Sequence, residues 1–183
     1  MAVVHRAELT PSKLDLLADW LPTQGWFADD GPIERVASFR FDDPAGQVGI
    51  ETFVVRSGMF DYHVPLTYRP APLPDAVLVG ELEHPVLGHR WVYDGGSDPV
   101  YVAAATEVIL TAGRDVDMFF ADGEPAPRHE WVADARGSGT TVEPAEAALV
   151  VARALPATAP LGAPTLVASG GGLEATVTLA WLA

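Results

Sequence analysis

Two carboxylates and two imidazoles crowd one short stretch, Glu81-Leu-Glu83-His84-Pro-Val-Leu-Gly-His89. Such groups suit zinc. The two histidines stand five residues apart across a proline and a glycine, which is no helical ligand spacing. The stretch therefore reads as a polar turn between two short strands. A second cluster, Asp115, Asp117, Asp122 and Glu124, lies in GRDVDMFFADGEP. Calcium wants a regular ladder of oxygen ligands with glycine at a fixed place. Met118, Phe119 and Phe120 fill the middle instead, giving a strand between two acidic turns, and no pocket signature supports acid/base chemistry there. Gly170-Gly171-Gly172 leads into a strand and is followed by Leu173 and Glu174, where a phosphate loop needs a helix and Lys or Ser/Thr. It reads as a hairpin turn. Ser138, between Gly137 and Gly139, does not form the Gly-x-Ser-x-Gly elbow and reads as loop. No catalytic residue, metal site or cofactor is expected.

Recognition by stacking is the remaining chemistry. Trp20, Trp26, Phe27, Trp91, Tyr93 and Trp131 could form a platform for sugar, but Trp91 and Trp131 fall in strand-like segments and read as core. Trp26 and Phe27 lie in a loop beside a helix end, so they are the tentative ligand or partner contact. Packing across a helix–sheet seam competes with that reading.

The chain that must position these groups has 183 residues, no cysteine and a net charge of −14. That length suits one domain, 1–183. Scattered acidic residues repel phosphate backbones and anionic lipid, so neither nucleic acid nor membrane is an expected partner. MAVVHRAELT carries His5, Arg6 and Glu8 and has no apolar run long enough for a signal peptide, and no stretch reaches the ~20 apolar residues of a membrane span. Together with the missing cysteines this implies a cytoplasmic protein. Only Lys13 is lysine; the other ten cations are arginines.

The central stretch is Gln47–Arg69, two strands joined at Ser57-Gly58. Val48, Ile50, Thr52 and Val54 alternate along one strand, and Tyr62, Val64, Leu66 and Tyr68 along the other. Pro65, lacking an N–H, marks a bulge or a border of the sheet. Ahead of the hairpin, Thr10 caps a helix with Pro11 at its first position and Leu9 stapled to Leu14. Leu14, Leu17, Ala18 and Leu21 share its apolar face, and Pro22 ends it. A strand follows over Ile33–Phe41. After the connector RPAPLPD come short strands at Ala76–Leu82 and Arg90–Tyr93. Asp98 caps a second helix with Pro99 at its start; Tyr101, Ala105, Val108 and Ala112 face the sheet and Gly113 stops it. Losing the Asp98 cap alone would cost ~1 kcal/mol. Strands are then expected at Met118–Phe120, Glu130–Ala135 and Ala148–Leu155. A terminal hairpin pairs Thr165–Ala168 with Glu174–Leu182. The fold class is α+β, a largely antiparallel sheet with two main helices.

MAVVHRAELTPSKLDLLADWLPTQGWF, DYHVPLTYRPAPLP and DPVYVAAATEVILT together resemble the N-terminal cap of actinobacterial maltokinases. The pattern is similar to stand-alone cap-like proteins, often named after glucan branching. Trp20-Leu21-Pro22, Trp26-Phe27, Pro65 to Arg69 and Asp98-Pro99 carry the likeness, which extends over 1–112; residues 113–183 add strands and the terminal hairpin. The resemblance implies a curved antiparallel sheet around a helix, as in cystatins. It also implies that phosphotransfer groups reside in kinase lobes, whose His-Gly-Asp and Asp-x-Glu motifs are absent. The barrel of a branching enzyme is absent too. The expectation is a non-enzymatic binding or regulatory module connected with maltose, trehalose or glycogen metabolism. It would dock on a protein partner or on itself. A small-ligand or carbohydrate-binding protein using exposed aromatics is the alternative.

Overall fold

The computed structural model describes residues 2–4, 9–140 and 148–183. His5, Arg6 and Glu8 lie outside the described residues. The chain runs through β1 (Ala2–Val4), α1 (Lys13–Trp20), β2 (Glu34–Phe41), β3 (Gly49–Ser57), β4 (Phe60–Arg69), β5 (Leu78–His84) and β6 (Gly88–Asp94). It continues with α2 (Pro99–Thr111), β7 (Met118–Phe120), β8 (Ala133–Gly137), β9 (Leu149–Val151), β10 (Ala154–Leu155), β11 (Thr165–Gly170) and β12 (Val177–Leu182). The larger antiparallel sheet has the order β2-β3-β4-β6-β5, with β10 also on β4. A four-stranded antiparallel sheet, β8-β11-β12-β9, packs with it, and β1 pairs parallel with β7. The α+β class with two helices is as the residue pattern implies. No helix among the described residues is long and apolar enough to cross a membrane.

The β3–β4 hairpin is apolar on both faces. Tyr62, Val64 and Leu66 share one face with their cross-strand partners Val55, Phe53 and Glu51. That face is covered by α1 through Leu16, Leu17 and Trp20. Ile50 and Val54 occupy the other face, beneath α2 and the second sheet. The two alternating sets read from the sequence therefore point to opposite sides. Pro65 borders a break in pairing. His63 donates its N–H outward to the Arg153 carbonyl, so residue 65 turns its nitrogen to the same edge, between β10 on Asp61–Tyr62 and β6 on Leu66–Arg69.

Local differences from expectation have identifiable causes. Thr10 is drawn into a bridge with Glu83, so α1 starts later, and Ser12 caps it in a reciprocal box with Asp15. Leu16 takes the buried place expected of Ala18, which is exposed. The helix sits so close to β5 that a Cβ at Gly80 would come within 2.7 Å of Leu16. On α2, Ile109 is buried instead of Val108 and Ala112. The Val108 carbonyl faces β8, where a Cβ on Gly137 would lie 1.9 Å away. Ala112, not Gly113, adopts the left-handed conformation, while Gly113, Gly139 and Thr140 donate to the terminal carbonyls. Trp131 precedes β8, which is displaced towards Gly137. The expected strand Ala148–Leu155 divides: β9 belongs to the small sheet and β10 to the large one.

Asp98 does more than cap. Its carboxylate accepts from Val100 N–H at 2.9 Å, from Thr67 at 2.6 Å and from Arg69 through two nitrogens at 2.7 and 2.6 Å. Burial pushes this carboxyl up, but the hydrogen bonds from Arg69, Thr67 and Val100 outweigh it and hold it below the ordinary range. Asp98→Ala is therefore expected to cost about 3–5 kcal/mol, the scale for breaking a buried ion pair, rather than the ~1 kcal/mol of a cap. Urea melts decide between the two values; a loss near the smaller one would mean that Arg69 finds solvent without penalty.

Candidate functional site

The loop after α1 is fixed by its own backbone and by the β3–β4 tip. Thr23 donates to the Trp20 carbonyl at 2.7 Å, and Phe27 N–H donates to Gln24 at 3.0 Å. Ala28 N–H reaches the Tyr62 hydroxyl at 3.2 Å, and Ser57 donates to the Gly31 carbonyl at 3.0 Å. Gly58 has φ +56, and a Cβ there would lie 2.1 Å from an Asp29 carboxylate oxygen, so only glycine serves this contact. Phe27 packs on Tyr62 with ring centroids 4.7 Å apart; Trp26 meets Trp20 at 5.8 Å and Tyr62 at 6.2 Å. Both loop aromatics are half-buried. Beside them the hairpin tip presents Met59, 91% exposed, and Phe60, 46% exposed, whose ring stands 6.4 Å from Tyr62.

Trp26 has a second partner that the sequence did not disclose. The Arg153 guanidinium lies 5.0 Å from the Trp26 ring centroid and pairs with Asp94 at 2.5 Å. It stands where β4 lacks a neighbour, in the segment crossing from β9 to β10. A Cβ on Gly96 would meet this guanidinium at 2.8 Å. His63, fully buried, lies on the same edge with Nδ1 3.0 Å from the Ala152 carbonyl. Burial first, then the Arg153 charge, lower its pKa to about 3. The imidazole is therefore neutral at pH 7, and Nδ1–H donates to Ala152.

A further charged group lies under the start of α1. Lys13 and Arg40 both pair with Glu51, Arg40 at 2.9 Å, and Lys13 lies 5.1 Å from the Tyr68 ring centroid. Burial alone would raise the Glu51 carboxyl, yet Arg40 and Lys13 bring it down to about 2. Burial lowers the Lys13 amine more than Glu51 restores it.

The other sequence candidates are each engaged by neighbouring backbone or side chains. His89 bridges Glu83 at 2.6 Å and Glu81 at 2.8 Å across the β5–β6 ribbon, whereas His84 instead accepts from Val86 and Leu87 N–H. No group of three or more metal-ligating side chains forms among the described residues. Asp115 accepts from Ala135 N–H, Asp117 pairs with Arg114, and Asp122 turns back on Glu124 N–H, so the acidic residues are not gathered on one point. Gly170 and Gly171 have positive φ in the β11–β12 turn, and Gly172 N–H donates to Val36. Ser138 accepts from Thr165 N–H. Trp91 stacks edge-on to His89, Trp131 lies flat on His129, and Tyr93 is buried, accepting from Leu73 N–H. These aromatics form no common platform with Trp26.

Residues 20–98 match the family model of the maltokinase N-terminal cap domain. The cap segment begins at Trp20, contains the aromatic loop and the central hairpin, and ends at Asp98. It supplies Trp26, His63 and Asp94 to the site; Arg153 comes from beyond it. No curated protein and no solved structure matches the chain.

Two outcomes test this geometry. The His63 pKa falls from 6.5 to about 3 on folding, so the unfolded chain binds more protons between those values. Stability is full above pH ~6.5 and declines as pH falls towards ~3. Between pH 7 and 5 His63→Asn should flatten that decline by about 2 kcal/mol in urea melts; an unchanged slope would place the imidazole in contact with solvent. Replacing Trp26 and Phe27 together by Ala should cost about 2 kcal/mol for each half-buried ring, roughly half the loss for a fully buried one. Thermal melting reads this, and an unaltered midpoint would show that neither ring contributes to packing.

Proposed function

We propose that this chain is a non-catalytic docking module whose Trp26–Phe27 loop and β3–β4 tip seat a protein partner. One observation carries the reading: Met59 and Phe60 are exposed at the end of a hairpin stapled to the aromatic loop. Large apolar anchors on a rigid support dominate interface energies because little ordering entropy is lost on binding. The likeness of residues 20–98 to a maltokinase cap supports the catalytic lobes of a sugar kinase as the partner, and a setting in maltose, trehalose or glycogen metabolism. The missing cysteines support a cytoplasmic location.

The direct test is calorimetric titration into a maltokinase truncated of its own cap, alongside light scattering of the chain alone. Met59→Ser with Phe60→Ser should preserve melting and weaken the complex at least ~10-fold, as expected for interface anchors. No complex with the unaltered chain, or equal binding by the variant, would overturn the proposal. Concentration-dependent dimers abolished by the same variant would assign the surface to self-association instead. A small-ligand reading is favoured by a different observation, the Arg153–Asp94 pair and the polar groups behind Trp26.

A further inference from the structure

The β3–β4 register gives the hairpin tip two unlike faces. Phe60 and Tyr62 fall on one side of β4, where Tyr62 stands opposite Val55 and meets the Trp26 and Phe27 rings. Asp61 falls on the reverse side, opposite Arg56, and Arg56 is in turn opposite Glu34 on β2. Asp61 holds Arg56 through two bonds, at 2.7 and 3.0 Å, and the charges of Glu174 and Glu34 act on the same guanidinium. Asp29 and Asp30 close the end. The Asp29 carboxylate lies against Gly58 and accepts from the Asp30 and Gly31 N–H groups at 2.9 and 3.2 Å. Asp19 stands exposed in the last turn of α1, next to Trp20, where a carboxylate opposes the helix dipole.

The apolar tip, with Met59 91% and Phe60 46% exposed, is thus flanked by carboxylates on every side and by the Arg56 guanidinium alone among nearby cations. The other cations of this end are spent elsewhere. Arg35 is turned between the Phe53 and Trp131 rings, at 5.3 and 5.2 Å, and Arg153 beneath Trp26 is balanced by Asp94. Away from the tip, Asp98, Asp117 and Asp134 each have their own arginine, so the imbalance is local. Its sign selects the occupant. A second copy meeting this surface about a two-fold axis would bring the same carboxylates against themselves. A phosphate backbone or anionic lipid would be repelled. A surface carrying arginine and lysine around an apolar socket gains charge-assisted hydrogen bonds on the flank while the socket takes the anchors.

We infer that the tip seats in a different protein, in an apolar socket lipped by arginine and lysine, and that two copies of this chain do not pair through it. The inference rests on the docking reading above, and the probe is the same maltokinase truncated of its own cap. Association rates are measured by surface plasmon resonance at ionic strengths of about 0.01 M and 1 M, where the screening length is roughly 30 and 3 Å. The parent rate should fall at least ~10-fold at the higher salt, because opposite charges steer the encounter. A variant with Asp30→Lys, Glu34→Lys and Glu174→Lys, all exposed positions, should lose a comparable factor at low salt and almost nothing at high salt. If that variant melts lower than the parent, the salt dependence of the parent still decides. A rate indifferent to salt, or one that rises with it, overturns the basic lip. Docking itself then stands as long as Met59→Ser with Phe60→Ser still weakens the complex. No complex at either salt overturns docking and this inference together. Light scattering at low salt should find the chain monomeric. Dimers there that vanish with Met59→Ser and Phe60→Ser would overturn the inference by placing a second copy on the tip.

Discussion

Burial of the central hairpin on both faces is the constraint from which the rest follows. A half-exposed antiparallel pair would need one cover; β3 and β4 need two. One is α1 with the aromatic loop, held on Tyr62, Val64 and Leu66. The other is α2 with the second sheet, held on Ile50 and Val54. Since both covers approach the same strands, they meet at the outer edge of β4. There β10 and β6 share the pairing without closing it, and Pro65, which has no N–H to satisfy, occupies the interval.

Charged groups enter this interior in compensated sets. Arg153 with Asp94, Arg69 with Asp98, and Lys13 and Arg40 with Glu51 each place a carboxylate against a cation at a seam between layers. Replacing such pairs by apolar residues can leave stability unaltered, while removing one member strands the other. Their contribution is therefore to register: each fixes where a helix or a returning strand meets the sheet. The strand switch between β9 and β10 is fixed in the same way, through Ala152 and Arg153 bonded to His63.

Elements governed by local chemistry were legible in the sequence. The Asp98-Pro99 start, the Ser57-Gly58 turn and the alternation of the hairpin depend on residues close in the chain, and each lies where the pattern places it. Features set by tertiary contact were not. Thr10 is a good cap in isolation, but its bridge to Glu83 comes from a strand more than 70 residues away. Ala148–Leu155 reads as one strand because no local signal marks a change of sheet. The site was half legible: Trp26 and Phe27 stood out as loop aromatics, whereas His63 and Arg153 were single polar residues within apolar runs. DYHVPL and LVVARAL were the available signals. A polar residue embedded in an apolar strand requires an internal partner, but sequence alone does not say which one.

The placement of Lys13 has a practical corollary for covalent labelling. It is the only lysine, and the fold commits its amine to Glu51 and the Tyr68 ring. The native surface thus offers no freely solvated ε-amine among the described residues, and acylating reagents would find this side chain engaged and largely covered. Acylation at Lys13 then becomes a clock for release of α1, a chemical record of opening written at a single position.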